Sequence, residues 1–339
     1  MGKTMFKTIL AALLLGAALP AHAADVTGPV RELMNAASAN WSEEGGDEDY
    51  TSEDRMARLY APDFARVIEE AVGHASRLNK DTVLGFDMIT GSEDGCPLKG
   101  VKIAQQKPEA DFIPVFVEFK PFTCLKGSPK RNMLMKVLFM MGEYDGVYKI
   151  DEIFRTVRGN EVISLSTEFK AVTTSAVFTP QKAAGGPMEL LKAAAGASED
   201  VAATTRPDEQ DSDYFSEDRL ARLYTRSFVN AYRAAWTKQE AGENGGYLLG
   251  ADPIVGGQDS CPFKDLSIEV MKPQSIYVYV VARFRASYCF GNPSDEKRVT
   301  TVNFSTILEH GTFKIDDILH LEGNKVVSSL KGDLDALAK

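Results

Sequence analysis

This 339-residue sequence predicts an α+β protein of two tandem domains, each with N-terminal helices packed on one face of a curved antiparallel sheet. Three observations carry that prediction. Residues 50–64 read YTSEDRMARLYAPDF and residues 214–228 read YFSEDRLARLYTRSF, so a block of domain size occurs twice. In each copy the apolar residues first recur at helical spacing and then alternate. Cys96 and Cys124 of the first copy answer to Cys261 and Cys289 of the second. The copies keep register at an offset of 164 near Asp54 and Asp218, 165 from Asp87 and Asp252 to Ile153 and Ile318, and 164 again at Gly159 and Gly323.

The elements follow in order. Lys3, Lys7, an apolar run over 8–19 and the small residues Ala21-His22-Ala23 predict a secretory signal peptide over 1–23. That run is shorter than the roughly 20 residues of a membrane span, and no later stretch comes closer. A mature chain without a lipid anchor is expected in the periplasm, with full secretion second. Without the leader's two lysines, 36 basic residues stand against 48 acidic ones, a net charge of −12. Phosphate backbones need a basic surface, so nucleic acid is excluded as a partner, and a cationic ligand or basic protein patch fits better.

The first domain is placed at 24–170, a linker at 171–186 and the second domain at 187–339. Residues 29–34 (PVRELM), echoed by 187–191 (PMELL), read as a short helix with proline in its first turn. The acidic loops over 42–49 and 198–213 read as solvated. Ser52 and Ser216 stand where an N-cap belongs, each before Glu-Asp. Helical spacing continues through Met56, Leu59, Tyr60, Phe64, Val67 and Ile68, and through their counterparts from Leu220 onward. Pro62 is expected to break the first helix near Ala61, whereas Arg226 would let the second run through. Strands are expected at 101–106, 115–120, 132–141, 147–157 and 162–166 and at their counterparts, with hairpin turns over 142–146 and 309–311. The 171–186 stretch, rich in Thr, Ser, Ala and Gly, reads as a linker.

Four cysteines in an oxidising compartment allow three pairings, and the repeat selects Cys96 with Cys124 and Cys261 with Cys289, each pair 28 apart. No CxxC spacing or shared histidine supports a metal site instead.

The order of elements, the shared strand GVYKIDEI at 146–153 and GTFKIDDI at 311–318, and the SEDR and ARLY helix starts together resemble the nuclear-transport-factor-2-like superfamily. Within it the chain is similar to the bacterial family called domain of unknown function 3828, over 29–169 and 187–334. The resemblance implies a cone of curved sheet closed by helices, often with an interior pocket, and two cones paired within the chain as a pseudo-dimer. It implies no activity, because the superfamily hosts isomerases, dehydratases, binding modules and dimerisation platforms.

The best shared polar cluster spans 85–99 and 250–264. Both copies keep two aspartates seven apart, two glycines, Cys-Pro and a lysine: Asp87, Asp94 and Lys99, matched by Asp252, Asp259 and Lys264. One reading puts Asp87 and Asp252 at the cone mouth as acceptors for a ligand's donors, with the lysines supplying the opposite charge. The other has each Asp cap its own turn. Arg55 and Arg219 would grip a carboxylate or orient their helix. Asp151-Glu152 and Asp316-Asp317 raise general acid/base chemistry: adjacent strand residues point to opposite faces, so one of each pair would face the interior and be a base of raised pKa. A hydrogen-bonded structural role competes.

His74, His310 and His320 have no counterparts, which excludes a shared triad or zinc site and leaves a site unique to the second copy open. Met133, Met135, Met140 and Met141 read as strand packing, and Trp236, Tyr277 and Tyr279 as core or a recognition patch. The leading expectation is a periplasmic, non-enzymatic binding or interaction protein without metal or cofactor, of envelope adaptor, inhibitor or immunity type, whose partner is an envelope protein or a small ligand. The alternative is a pocket enzyme, an isomerase or hydrolase using an interior carboxylate. A structural module without a ligand is third.

Overall fold

The computed structural model describes residues 25–42, 46, 48–75, 83–156, 162–201, 214–240, 249, 251–258 and 260–339. The predicted leader, parts of both acidic loops, Gly159-Asn160 and Asp259 lie outside the described residues.

The first domain runs α1 (Gly28–Asn40), α2 (Glu53–Leu59), α3 (Pro62–Ala75), β1 (Lys99–Gln105), β2 (Phe112–Lys120), β3 (Met135–Tyr144), β4 (Val147–Thr156), β5 (Val162–Ser164) and α4 (Leu165–Val177). The second repeats this plan: α5 (Pro180–Val201), α6 (Glu217–Leu223), α7 (Arg226–Glu240), β6 (Lys264–Val270), β7 (Tyr277–Arg285), α8 (Pro293–Glu296), β8 (Thr300–Glu309), β9 (Thr312–Glu322), β10 (Lys325–Ser329) and α9 (Leu330–Leu337). Each set of five strands forms its own antiparallel meander, in order β1-β2-β3-β4-β5 and β10-β9-β8-β7-β6. No helix among the described residues is long and apolar enough to cross a membrane.

The hairpins between the third and fourth strands turn on Asp145-Gly146 and His310-Gly311, all four with positive φ, as a two-residue turn matched to strand twist requires. The fourth strand is the hub, because every long helix of its domain touches it. Phe139, Ile150 and Ile153 meet Leu33, Phe64 and Ile68 in one core, and Phe304, Ile315 and Ile318 meet Leu190 and Phe228 in the other. The shared strand lysines, Lys149 and Lys314, donate to the carbonyls of Ala57 (2.7 Å) and Ala221 (2.9 Å), supplying a cation where α2 and α6 end.

Several expectations need correction. Residues 171–186, expected as a linker, are helical except for Phe178 and Thr179. Val172 is buried with the first core and Ala183 with the second, so the domains meet across a two-residue break. The helices that follow each sheet, α4 and α9, were not expected. Their N-caps are Ser164 and Ser329, whose hydroxyls accept the N–H groups of Thr167 (3.2 Å) and Gly332 (3.0 Å).

The helix break occurs in both copies, not only at Pro62. Tyr60 and Tyr224 are extended and bridge to Ile150 and Ile315, and Thr225 N–H donates to the Ile315 carbonyl at 2.9 Å as Ala61 does to Ile150 at 2.8 Å. Tertiary pairing therefore breaks the helix, and proline is only the residue that tolerates the break in the first copy. The domains touch through α4 against β8 and through Phe178 edge-on to Phe313 at 6.4 Å, a heterologous contact of a helix on one side with a strand on the other.

The cysteines pair within each copy, Cys96 with Cys124 and Cys261 with Cys289. Replacing both cysteines of one pair by alanine is expected to lower the unfolding free energy by about 3.5 kcal/mol on the chain-entropy account. The check is the urea midpoint at unchanged slope, together with non-reduced peptide masses, where a peptide linked across the two domains contradicts the pairing.

Candidate functional site

The shared aspartates organise turns. Asp87 Oδ1 accepts the N–H groups of Ile89 (3.0 Å) and Thr90 (2.7 Å), and its Oδ2 accepts the Tyr50 hydroxyl (2.7 Å). Asp252 repeats the set with Ile254 (2.7 Å), Val255 (2.8 Å) and Tyr214 (2.8 Å). Burial, then the Asp87 charge, pushes the Tyr50 hydroxyl well above its ordinary pKa and keeps it a donor. Asp94 and Lys99 are exposed, while Lys264 lays its ammonium over the Tyr288 ring at 3.7 Å. Among the described residues no hydrogen bond or ion pair joins Asp87 or Asp252 to Asp94, Lys99 or Lys264. The turn itself is firm, because the loop that follows is tied down by the disulfide and by the N–H groups of Cys96 and Cys261 on the carbonyls of Pro121 and Ala286.

Beneath this turn the copies differ. In the first domain Arg155 of β4 is buried at 2 % exposure, ion-paired with Glu168 of α4, its guanidinium 4.8 Å from the Phe86 ring centroid. Gly91 closes the lid on it, with φ of 62° and no room for a side chain: a Cβ there would lie 1.9 Å from Arg155 Nη1. At the same offset of 165, the second domain has Ala251 for Phe86, His320 for Arg155 and Asp333 for Glu168. Each is smaller.

The result is a cleft of about 770 Å³ lined by Asp252, Val255, Gly256, Arg298, His320 and Asp333 among others. The fifth strand adds to it. A bulge between Val326 and Ser328 restores the offset of 165 by the capping serines, and Val327 and Ser328 line the cleft. His320 Nε2 lies 3.1 Å from the Pro253 carbonyl, which can only accept, so Nε2 carries a hydrogen. In the neutral ring Nδ1 is then the acceptor.

The carboxylate pairs do not behave as strict alternation requires. The β3–β4 and β8–β9 registers shift between Met140 and Met141 and between Ser305 and Thr306, leaving Asp151 and Asp316 as the extra residues of a β-bulge. Glu152, Asp316 and Asp317 then reach helix ends, whereas Asp151 stays on the sheet. Glu152 accepts from the Ser164 hydroxyl (2.8 Å), the Ser166 hydroxyl and the Ser166 N–H (3.1 Å) at the start of α4. Asp317 accepts from the Ser329 hydroxyl (2.6 Å) and the Lys331 N–H (2.9 Å) at the start of α9. Asp316 holds Thr225 (2.7 Å) and the Lys331 ammonium (3.0 Å), and Asp151 accepts from the Tyr144 hydroxyl. Neither Asp151 nor Asp316 lines this cleft.

A second, shallower groove of about 540 Å³ lies between α2 and α3, with Lys149 at its edge. The arginines also pair within the chain. Arg58 and Arg222 make the two-pronged grip, on Glu32 and Glu189 of the first helices, with Arg55 and Arg219 on the same carboxylates. Met141 is core and Met133 exposed, while Trp236 stacks on Tyr232 and Tyr277 on Tyr279.

Sequence reasoning missed the cleft. The signal was present in the Phe86/Ala251, Arg155/His320 and Glu168/Asp333 differences, which carry meaning only once their adjacency is known.

Two outcomes follow. Glu168→Ala strands a buried guanidinium and is expected to cost about 3 kcal/mol, whereas Asp333→Ala, at an exposed counterpart, is expected to cost under about 0.5 kcal/mol, both read from denaturant unfolding. The second concerns Asp317, whose carboxyl burial pushes above its ordinary value. An acid that binds its proton more readily when folded contributes stability below its unfolded pKa and loses it as pH rises through the folded one. Asp317→Asn is therefore expected to flatten the fall in stability above about pH 4, and an unchanged slope in acid-range unfolding profiles contradicts this. No protein-family model matches this chain and no curated protein is a significant match, so its own repeat is the comparison through which the site is read.

Proposed function

We propose that this chain is an exported, non-enzymatic binding protein whose second domain takes a small ligand in the cleft beneath the Asp252 turn, and whose first domain is the closed, supporting copy. One observation carries the reading: the three side chains that fill this position in the first domain, Phe86, Arg155 and Glu168, are all replaced by smaller ones in the second. The volume, about 770 Å³, falls within the range of small-molecule sites. A small ligand is favoured over an envelope protein because the differences gather in a concavity rather than on a broad face. Two disulfides persist in an oxidising compartment, which supports export and, with the character of the leader, the periplasm. The helix-backed meander in both halves supports the resemblance to the nuclear-transport-factor-2-like superfamily, where pockets of this kind recur. An enzymatic role gains no support from Asp151 or Asp316, whose oxygens serve internal donors.

The test rebuilds the plug. Compounds from a metabolite panel are expected to raise the Tm of the mature chain, since a ligand that binds only the native state must stabilise it. Ala251→Phe combined with His320→Arg is expected to abolish the shift. Persistence of the shift in that variant, or turnover of a bound compound, counts against the reading.

A further inference from the structure

The first domain offers a picture of what the second lacks. Arg155 places a guanidinium under the Gly91 lid, against the Glu168 carboxylate and beside the Phe86 face. The second domain keeps the lid as Gly256 and the carboxylate as Asp333, but His320 replaces the cation. Among the described residues Asp333 has no ion-pair partner within 4.0 Å. Among the described residues four carboxylates line the cleft, on Asp252, whose oxygens serve its own turn, and on Asp295, Glu322 and Asp333, against one permanent cation, Arg298. A His320 ring in its neutral form adds an acceptor at Nδ1. The His320 ring keeps the place directly beneath Gly256, 3.1 Å from where a Cβ would stand, and acceptors and negative charge line the cleft beside it.

We infer, resting on the proposed binding role, that the cleft takes a small organic cation bearing a planar guanidinium or amidinium group, seated beside the His320 ring against Asp333. Asp333 receives two parallel N–H donors, as carboxylates do from guanidinium groups. Val255 and Leu321, which also line the cleft, face the apolar remainder of the ligand. The first domain is closed to the same compounds because Arg155 already occupies the place.

The experiment titrates the mature chain with agmatine, with ethylguanidine, with the neutral isostere ethylurea and with propionate, by calorimetry at two salt concentrations. Agmatine and ethylguanidine are expected to bind at one site per chain, at least tenfold more tightly than ethylurea, and more weakly at higher salt. Asp333→Asn is expected to weaken agmatine tenfold or more while leaving the Tm of the free protein unchanged, and Ala251→Phe with His320→Arg to abolish binding. Equal binding of ethylurea, binding of propionate alone, or full agmatine affinity in Asp333→Asn overturns the cation inference. If a neutral or anionic panel compound binds and the plugged variant loses it, the cleft reading survives without the cation. If no compound binds the wild-type chain, both fall.

Discussion

A bulge in the fourth strand of each sheet is the constraint on which the rest of the molecule depends. Strict alternation would send consecutive residues to opposite faces and leave at most one acid of each pair near the helices. With one extra residue in the strand, Ile150 and Ile153 both enter the core, as do Ile315 and Ile318, and Glu152, Asp316 and Asp317 between them reach the ends of helices. Three attachments follow within a few residues. The lysine before the bulge takes a carbonyl of the second helix, the isoleucine carbonyl takes the N–H that breaks the helix pair, and the acid after it holds the start of the last helix. The carboxylates that invite an acid/base reading from their chemistry serve donors within the chain.

Once the helices are set by that strand, the loop carrying the Asp turn has one place to go. Its backbone donors close on the aspartate, a tyrosine from the segment before the second helix braces the carboxylate, and the disulfide ties the loop to the end of the second strand. The turn is thus a rigid roof in both domains. What lies beneath is decided by a few side chains from β4 or β9, from α4 or α9 and from the loop itself. A paired guanidinium in a dry site is costly to leave alone and crowds out any guest. Exchange of its three parts for smaller ones leaves the roof standing over His320 and opens a cleft beside it.

Much of this was legible in the sequence, and the reasons differ by element. The repeat is strong enough to pair cysteines and to place strands to within a few residues. Other features were hidden. The helices α4 and α9 follow a strand directly, and α4 carries Thr and Ser that read as loop, while buried neighbours and serine caps supply the helix stability that propensity does not. The break at Tyr224 has no local signal, because it comes from a strand carbonyl about ninety residues away in sequence. Arg58 and Arg222, not the more obvious Arg55 and Arg219, make the two-pronged contacts, since only their position on the helix points both prongs at the glutamate.

The sequence by itself determined the duplication, the α+β class and the two within-copy cysteine links, because each of these is written in periodicity or spacing along the chain. Only the tertiary structure decided which aspartates cap turns, which acids hold helices and where a cleft opens. Phe86, Arg155 and Glu168 stand up to 82 positions apart in sequence yet meet at one point, and whether such residues fill a space or leave it empty is a property of packing, which no linear pattern records.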